Sequence, residues 1–360
     1  MSKDVTIRSM QSKEDDLFLF KNCFEVNGSK RDMDHLRWQY LDNPEGHSFV
    51  DFAIGETQPG SQHEVVAGIY AVFPVQFSIG GRNRLGVQSI DTMTDYRFRR
   101  QGLFRELAGS VNRRLADEGV QFVYGFPNGS SAYCFFNHLK WQRLDPVPFL
   151  VRPLRTGLVL RKLGPAGKIL GKFLNLPLPL RRFRRLSHGA VFETVTWFDE
   201  EYDRLWAQFS KDIGVSVRRD SSYLNWRICN NPRFSYITIA ARLNGELAGF
   251  VTYRVVNKHG GRIGYIMDLV YRPELPDIGK VLLSKALRSM RNDGAELVLA
   301  WCLEHSLNRS IFKSSFFMPF PESLRPVELH FGVRKVNKPD SDIVSQRSEW
   351  YISYLDSDTV

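Results

Sequence analysis

Residues 91–115 read DTMTDYRFRRQGLFRELAGSVNRRL, and the change of pattern inside this stretch decides the fold. A strand runs out, a turn of Arg99-Arg100-Gln101-Gly102-Leu103-Phe104 follows, and a helix begins at once. The helix is read from Leu103, Leu107, Val111 and Leu115, which recur at spacing four and make one apolar stripe. Such a turn aims unpaired backbone N–H groups outward at the positive end of a helix dipole. Gly102 lets the backbone approach a ligand with no Cβ in the way. The neighbouring arginines add charge-assisted hydrogen bonds. The combination suits a pyrophosphate.

The surrounding chain is a duplication. RDMDHLRWQYLDNP at 31–44 and RDSSYLNWRICNNP at 219–232 align without a gap, with Arg, Asp, Leu, Trp, Asn and Pro coinciding. VVAGIYAV (65–72) then matches ELAGFVTY (246–253), SIDTM (89–93) matches IMDLV (266–270), and DEGVQFVYGF (117–126) matches NDGAELVLAW (292–301). Each copy reads as a helix stopped by Asn-Pro, three strands, a long amphipathic helix and a left-handed glycine (Gly119 or Gly294). A buried strand and a short aromatic helix complete it. The strands are expected at 50–54, 65–80 and 85–95, and again at 236–242, 247–257 and 262–271. Between the copies the turn differs. The second has Pro276-Asp277-Ile278-Gly279-Lys280, with a glycine in place but a carboxylate and a proline where arginines stood. A carboxylate repels phosphate and proline removes a donor, so only the first copy is expected to bind an anion.

Composition narrows the class. With 43% hydrophobic and 24% charged residues, a large core can form. There is no apolar run of about 18 residues for a membrane span and no apolar leader at the start, so a cytoplasmic protein is expected. Cys23, Cys134, Cys229 and Cys302 are scattered without CxxC spacing, which predicts free thiols and neither disulfide scaffold nor metal. The net charge of +10 is local: residues 151–190 hold ten Lys and Arg and no acid. Nucleic-acid binding is therefore not expected.

The turn resembles the acyl-CoA pyrophosphate loop of the GNAT superfamily, Q/R-x-x-G-x-G/A, with Arg99 first, Gly102 fourth and Phe104 in the sixth place, where the family has a small residue. The downstream block FPNGSSAYCFFNHLKW (126–141) falls in the family's order, and the resemblance covers nearly all of residues 5–150. It implies an α/β fold of two tandem GNAT-like domains, each a twisted mixed sheet flanked by helices. The domains are expected at 1–150, with the acyl-CoA site, and 191–360, degenerate, joined by a basic, hydrophobic linker at 151–190. It also implies acetyl-CoA or another acyl-CoA as cofactor, bound by Met93, Thr94, Arg99, Arg100, Gln101, Gly102, Leu103, Phe104 and Asn128. Asp91 is the candidate base, although Asp268 occupies the same place in the other copy and a shared structural role competes. The family's general-acid tyrosine falls near Phe136, with Tyr133 one turn earlier as the substitute.

Asp95 is read as a substrate contact. So are Asp356 and Asp358, which follow an aromatic, alternating stretch expected to form a strand; a solvated acidic tail is the other reading. These features resemble tandem acetyltransferases of bacterial surface-polysaccharide clusters, which implies transfer of an acetyl group to a small amine such as an amino sugar. Aminoacyl transfer of the peptidoglycan-bridge type and non-catalytic acyl-CoA binding are the alternatives. For the linker 151–190, peripheral contact with an anionic membrane, plain linkage and docking of an acidic carrier protein all stand open.

Overall fold

The structure, a computed structural model, describes residues 5–11, 14–56, 64–157, 175–181, 183, 189–325, 327–337 and 342–358. Most of the basic stretch on which membrane contact rests lies outside these residues. Among the described residues no helix is long and apolar enough to cross a membrane.

The first copy contains β1 (Val5–Ser9), α1 (Glu14–Val26), α2 (Met33–Tyr40), β2 (Phe49–Glu56), β3 (Glu64–Ile79), β4 (Arg82–Thr94), α3 (Leu103–Asp117), β5 (Phe122–Gly125), α4 (Gly129–Tyr133) and β6 (Gln142–Arg143). The chain continues with β7 (Phe149–Pro153), β8 (Ala190–Val195), α5 (Glu200–Phe209), β9 (Val215–Val217), α6 (Ser221–Leu224), β10 (Ile237–Leu243), β11 (Glu246–Lys258) and β12 (Gly261–Tyr271). It ends with α7 (Pro276–Asn292), β13 (Leu297–Trp301), α8 (Asn308–Ser314), β14 (Met318–Pro319) and β15 (Gly332–Lys335).

Two mixed sheets result. One is ordered β1-β2-β3-β4-β5-β15-β6 and the other, read from its far edge, β8-β10-β11-β12-β13-β7-β14. The orders correspond place for place, and in each the parallel pair is the fourth with the fifth strand, β4 with β5 and β12 with β13. The duplication seen in sequence is thus a duplication of topology.

The units are not contiguous. One comprises Met1–Pro146, Asn230–Phe234 and Leu329–Arg347; the other comprises Val147–Cys229, Ser235–Glu328 and Ser348–Val360. The sixth place in each sheet is filled by a strand from the other half of the chain: β15 beside β5, and β7 beside β13.

In the first unit the sheet is covered on both faces. Ile69 and Ala71 of β3 pack with Leu17, Phe20, Phe24, Leu36 and Tyr40 of α1 and α2. The alternate residues Tyr70 and Val72 pack with Leu103, Leu107, Val111 and Leu115 of α3, as the two-residue period of a strand requires. All four residues of that helical stripe are buried, and full burial of each leucine contributes roughly 1.5–3 kcal/mol.

The helix ends match the expected glycines. Gly119 (φ +71°) donates to Ala116 O while Val120 donates to Leu115 O; Gly294 (φ +82°) and Ala295 repeat the pair on Arg291 O and Met290 O. Both are the left-handed cap in which two orphan carbonyls are satisfied at once.

One expectation fails. The C-terminal stretch is no alternating strand: Trp350, Tyr351, Ile352, Tyr354 and Leu355 are all buried, and Tyr354–Asp356 form a short 3-10 turn. Aromatic residues packed from every side need no period of two.

Candidate active site in the first unit

The turn after β4 is built as an open cradle. Arg100 (φ +65°) and Gly102 (φ +82°) both adopt left-handed backbone, and Gly102 caps α3 without any side-chain hydrogen bond. From Arg99 to Phe104 no backbone N–H finds a partner among the described residues; the first helical bonds are those of Arg105 and Glu106 to Gly102 O. Successive N–H groups across left-handed residues form an anion-binding concavity, and the helix dipole adds to it. Arg99, Arg100, Gln101 and Gly102 are exposed. Arg99 reaches back to Thr94 O through Nε at 3.4 Å, and Arg100 has no ion pair among the described residues. Leu103 is buried, and Phe104 turns inward against Tyr70 (5.9 Å between ring centres) and Phe135 (5.3 Å). A bulky sixth residue therefore leaves the cradle open.

Behind the turn the sheet parts. β4 and β5 are paired only at Val87–Val123, Gln88–Tyr124 and Ser89–Gly125, whereas β4 stays on β3 as far as Thr94. Gly125 stands where the strands separate, and a Cβ there would lie 2.9 Å from Ser89 O. Residues 90–94, including Met93 and Thr94, thus face an opening that β5 does not fill. The register also slips there: Tyr70 faces Thr92 and Val72 faces Ser89, so β4 carries one extra residue. Such a bulge leaves backbone groups unpaired and re-aims side chains. The second sheet has the same slip, where Thr252 faces Asp268 and Tyr253 faces Ile266.

At this bulge Asp91 is fully engaged. Its carboxylate accepts from Arg31 Nη2 at 2.5 Å, Tyr40 Oη at 2.7 Å and Gln39 Nε2 at 3.1 Å. Burial, then the Asp91 charge, raises Tyr40 well above the ordinary tyrosine value, so it remains a neutral donor. The duplicate residues repeat the pair: Arg219, which aligns with Arg31, donates through Nε to Asp268 Oδ2 at 2.8 Å, and Tyr351 Oη donates to Asp268 Oδ1. One arginine, one aspartate and one phenol therefore hold the bulge in both copies, although the phenol comes from different elements. The arrangement shared by both copies is the structural role that competes with catalysis by Asp91. Asp91→Asn should lower stability by about 1.5–3 kcal/mol, the value of a hydrogen bond to a charged group; urea denaturation measures it.

The remaining candidates are dispersed. Asp95 is buried; its carboxylate accepts from Arg97 N at 2.9 Å, Nε at 2.9 Å and Nη2 at 2.8 Å, and from Asn27 Nδ2 at 3.4 Å. It anchors the start of the turn and faces the interior. Asn128 caps α4, its Oδ1 accepting from the N–H groups of Ser130 and Ser131 at 3.1 Å each, and its Nδ2 has no partner among the described residues. Tyr133 is exposed, and its ring lies edge-on to His138 at 5.3 Å. Phe136 is buried under the Arg143 guanidinium at 4.0 Å.

In the second unit Asp356 is buried. It accepts from Arg219 Nη2 at 2.7 Å and from Ser353 N at 2.8 Å. Burial pushes its carboxyl up from the ordinary value, and Arg219 beside it opposes the shift. Its charge is answered inside the protein; Asp358 is exposed.

The second unit's turn is differently made. Pro276 starts α7, so Gly279 lies inside the first turn of the helix and not at its cap. This corrects the expectation that the glycine keeps its place: the fixed φ of proline suits the first helical position and brings the helix forward. Gly279 instead packs against Tyr271, whose ring a Cβ would meet at 2.8 Å, and Asp277 pairs with Lys280 at 2.7 Å.

Residues 6–142 match the model of an acetyltransferase (GNAT) domain, and residues 195–311 match that of the acetyltransferase (GNAT) family. No curated protein matches the chain in sequence. Among solved structures the chain is similar to Saccharomyces cerevisiae N-myristoyltransferase with bound myristoyl-CoA (TM-score 0.59, 12% identity, 91% of this chain and 82% of that one). It is also similar to a protein of Enterococcus faecalis V583 described as a probable N-acyltransferase (TM-score 0.61, 12% identity, 93% and 73%). A third is the GCN5-related glucosamine N-acetyltransferase region of a fungal multi-domain β-N-acetylglucosaminidase (TM-score 0.57, 10% identity, 92% and 38%). At these identities the likeness is one of fold.

Proposed function

The chain belongs to the GNAT acetyltransferases, two of whose domains it carries in tandem, and from that premise we propose that its first unit transfers an acyl group from coenzyme A to the amine of a small acceptor. The observation that carries this reading is the asymmetry between the two turns. One offers unpaired N–H groups, two exposed arginines and a left-handed glycine; the other offers a proline, an ion-paired aspartate and a buried glycine.

A thioester is already activated, so the protein's work is to hold it, orient an amine and move a proton. The cradle at 99–104 fits a pyrophosphate, and the opening beside residues 90–94 fits an extended amide-bearing arm with Asn128 Nδ2 as a further donor. Acetyl is the acyl group we favour. The similarity to a glucosamine N-acetyltransferase region makes an amino sugar, as in a surface-glycan precursor, the first acceptor to try. A cytoplasmic enzyme lying against an anionic membrane through 151–190 would meet such a precursor. Phe136, in place of the family's tyrosine, favours one second reading, acyl-CoA binding without turnover.

Thermal shift tests the reading with acetyl-CoA, myristoyl-CoA and free CoA. A ligand at 100 times its Kd adds about 2.7 kcal/mol, or roughly 5–10 °C for a unit of this size. Arg99→Glu should abolish the shift by placing a like charge against phosphate. A wild-type protein that responds to none of the three ends the proposal.

A further inference from the structure

Where β4 and β5 part, a circuit of side chains lines one face of the opening. Ser89 and Gly125 are the last residues that the two strands pair. A Cβ on Gly125 would stand 3.5 Å from the ring of Trp141. Trp141 meets Phe135 with ring centres 4.8 Å apart, and Phe135 meets Phe104 at 5.3 Å. Phe104 meets Tyr70 at 5.9 Å, and Ser89 Oγ lies 3.5 Å from Tyr70 Oη. The circuit thus leaves β5 at Gly125 and returns to β4 at Ser89. Its face is that of α3, because Tyr70, Phe135 and Trp141 share a core cluster with Leu103 and Leu107, and Phe104 packs against it.

Phe104 closes this circuit. It joins Phe135, from the segment after β5, to Tyr70, whose cross-strand neighbour Thr92 belongs to the part of β4 that β5 leaves uncovered. Tyr70, Phe135 and Trp141 are buried, while Phe104 keeps part of its surface open. It also stands where the GNAT loop pattern has a small residue. A glycine or alanine there would leave the space between Tyr70 and Phe135 empty, and an apolar recess of that kind stays dry and takes apolar ligands. In this chain a phenyl ring fills it. Burial pushes the Tyr70 phenol up to about 12, so the wall carries no charge at neutral pH. The opposite face of the sheet differs in chemistry. Tyr40 belongs to the cluster on the α1 and α2 side, and with Arg31 and Gln39 it holds the Asp91 carboxylate there. An alkyl chain among those groups would desolvate them without replacing their hydrogen bonds.

We propose that Phe104 sets the acyl-chain length of the first unit: carbons beyond the thioester carbonyl meet the aromatic wall, which has room for acetyl or a similarly short group. The assignment rests on the acyltransferase reading above. It names a residue that determines specificity and takes no part in making or breaking bonds. Because the wall is uncharged and apolar, it sorts acyl groups by size.

Calorimetry with free CoA, acetyl-CoA and octanoyl-CoA tests this on the wild type and on Phe104→Ala. Each affinity is taken relative to free CoA, so that general damage to the phosphate cradle cancels. In the wild type octanoyl-CoA should bind no tighter than acetyl-CoA. In Phe104→Ala the octanoyl-to-acetyl ratio should rise about 15–60-fold, the effect of two or three newly buried methylenes at about fourfold each. Phe104→Leu keeps the core fuller and should move the ratio the same way by about fourfold; it carries the test if the alanine variant does not fold. A wild type that favours octanoyl-CoA over acetyl-CoA overturns the assignment. So does a ratio that stays the same or falls in whichever variant folds. A wild type that binds no acyl-CoA overturns the acyltransferase reading itself.

Discussion

Arg219→Met is expected to destabilise the second unit by about 3–5 kcal/mol, the usual consequence of removing one partner from a buried ion pair. Arg219, Asp268 and Asp356 are all almost fully buried. The guanidinium bonds Asp268 at 2.8 Å, Asp356 at 2.7 Å, Val217 O at 2.9 Å and Ser353 Oγ at 3.2 Å, and it lies near the rings of Trp206 and Tyr351. Methionine fills much of the volume and takes the guanidinium away from two buried carboxylates. In a unit of this size the thermal midpoint should fall by roughly 6–20 °C.

The pH dependence has a definite sign. Burial already raises Asp356 above its ordinary value, and without the cation that shift can only grow. A carboxyl whose folded value is raised contributes stability below its unfolded value, near 4, and loses it as pH rises through the folded value. The variant should therefore be relatively more stable at pH 5 than at pH 8, and adding Asp268→Asn and Asp356→Asn should recover part of the loss. Thermal melts at both pH values decide the matter; an unchanged midpoint would remove the cluster from the stability of this unit.

Gly102→Val should leave the first unit folded and weaken acetyl-CoA binding about 10²–10⁴-fold, corresponding to two charge-assisted hydrogen bonds at about 1.5–3 kcal/mol each. The reason is conformational. At φ +82° the nearest atom to a new Cβ would be Glu106 Oε1 at 3.9 Å, so nothing clashes. A β-branched residue nevertheless avoids left-handed backbone, and relaxing the turn would re-aim its N–H groups. Gly279→Ala is the mirror experiment. There φ is helical and the obstacle is the Tyr271 ring at 2.8 Å, so overpacking should cost about 1–3 kcal/mol of stability with no change in affinity. Calorimetry and thermal melting on the two variants together should give opposite signatures.

Much of the fold was legible because it is written in local pattern. The apolar stripe of α3, the apolar run of β3, the capping glycines and the repeated Asn-Pro blocks each report short-range geometry, and the structure has them where the local pattern places them. The turn at 99–104 was legible for the same reason. What was not legible depends on contacts distant in sequence. Nothing local in GVRK at 332–335 says that it pairs with FVYG at 122–125. For that reason His330 and Asp145, which meet at 2.7 Å across 185 residues, looked unrelated. Asp356 read as a substrate contact because it follows the aromatic stretch near the end of the sequence; only Arg219, 137 residues earlier, explains its burial. Asp95 read as a ligand contact from its nearness to the turn, yet Arg97, two residues on, occupies its carboxylate. Gly279 kept its alignment and lost its role, since one proline moves a helix start.

The exchange of β7 and β15 constrains how the molecule is born. On a ribosome, β1 to β6 emerge while the partner of β5 has yet to be translated; some 180 residues separate β7 from β15, about 10–40 s of synthesis at typical elongation rates. Throughout that interval β5 has a bare flank able to pair with a stray strand. The nascent chain must keep this flank shielded until β15 arrives. The first sheet is therefore complete only once β15 has been made.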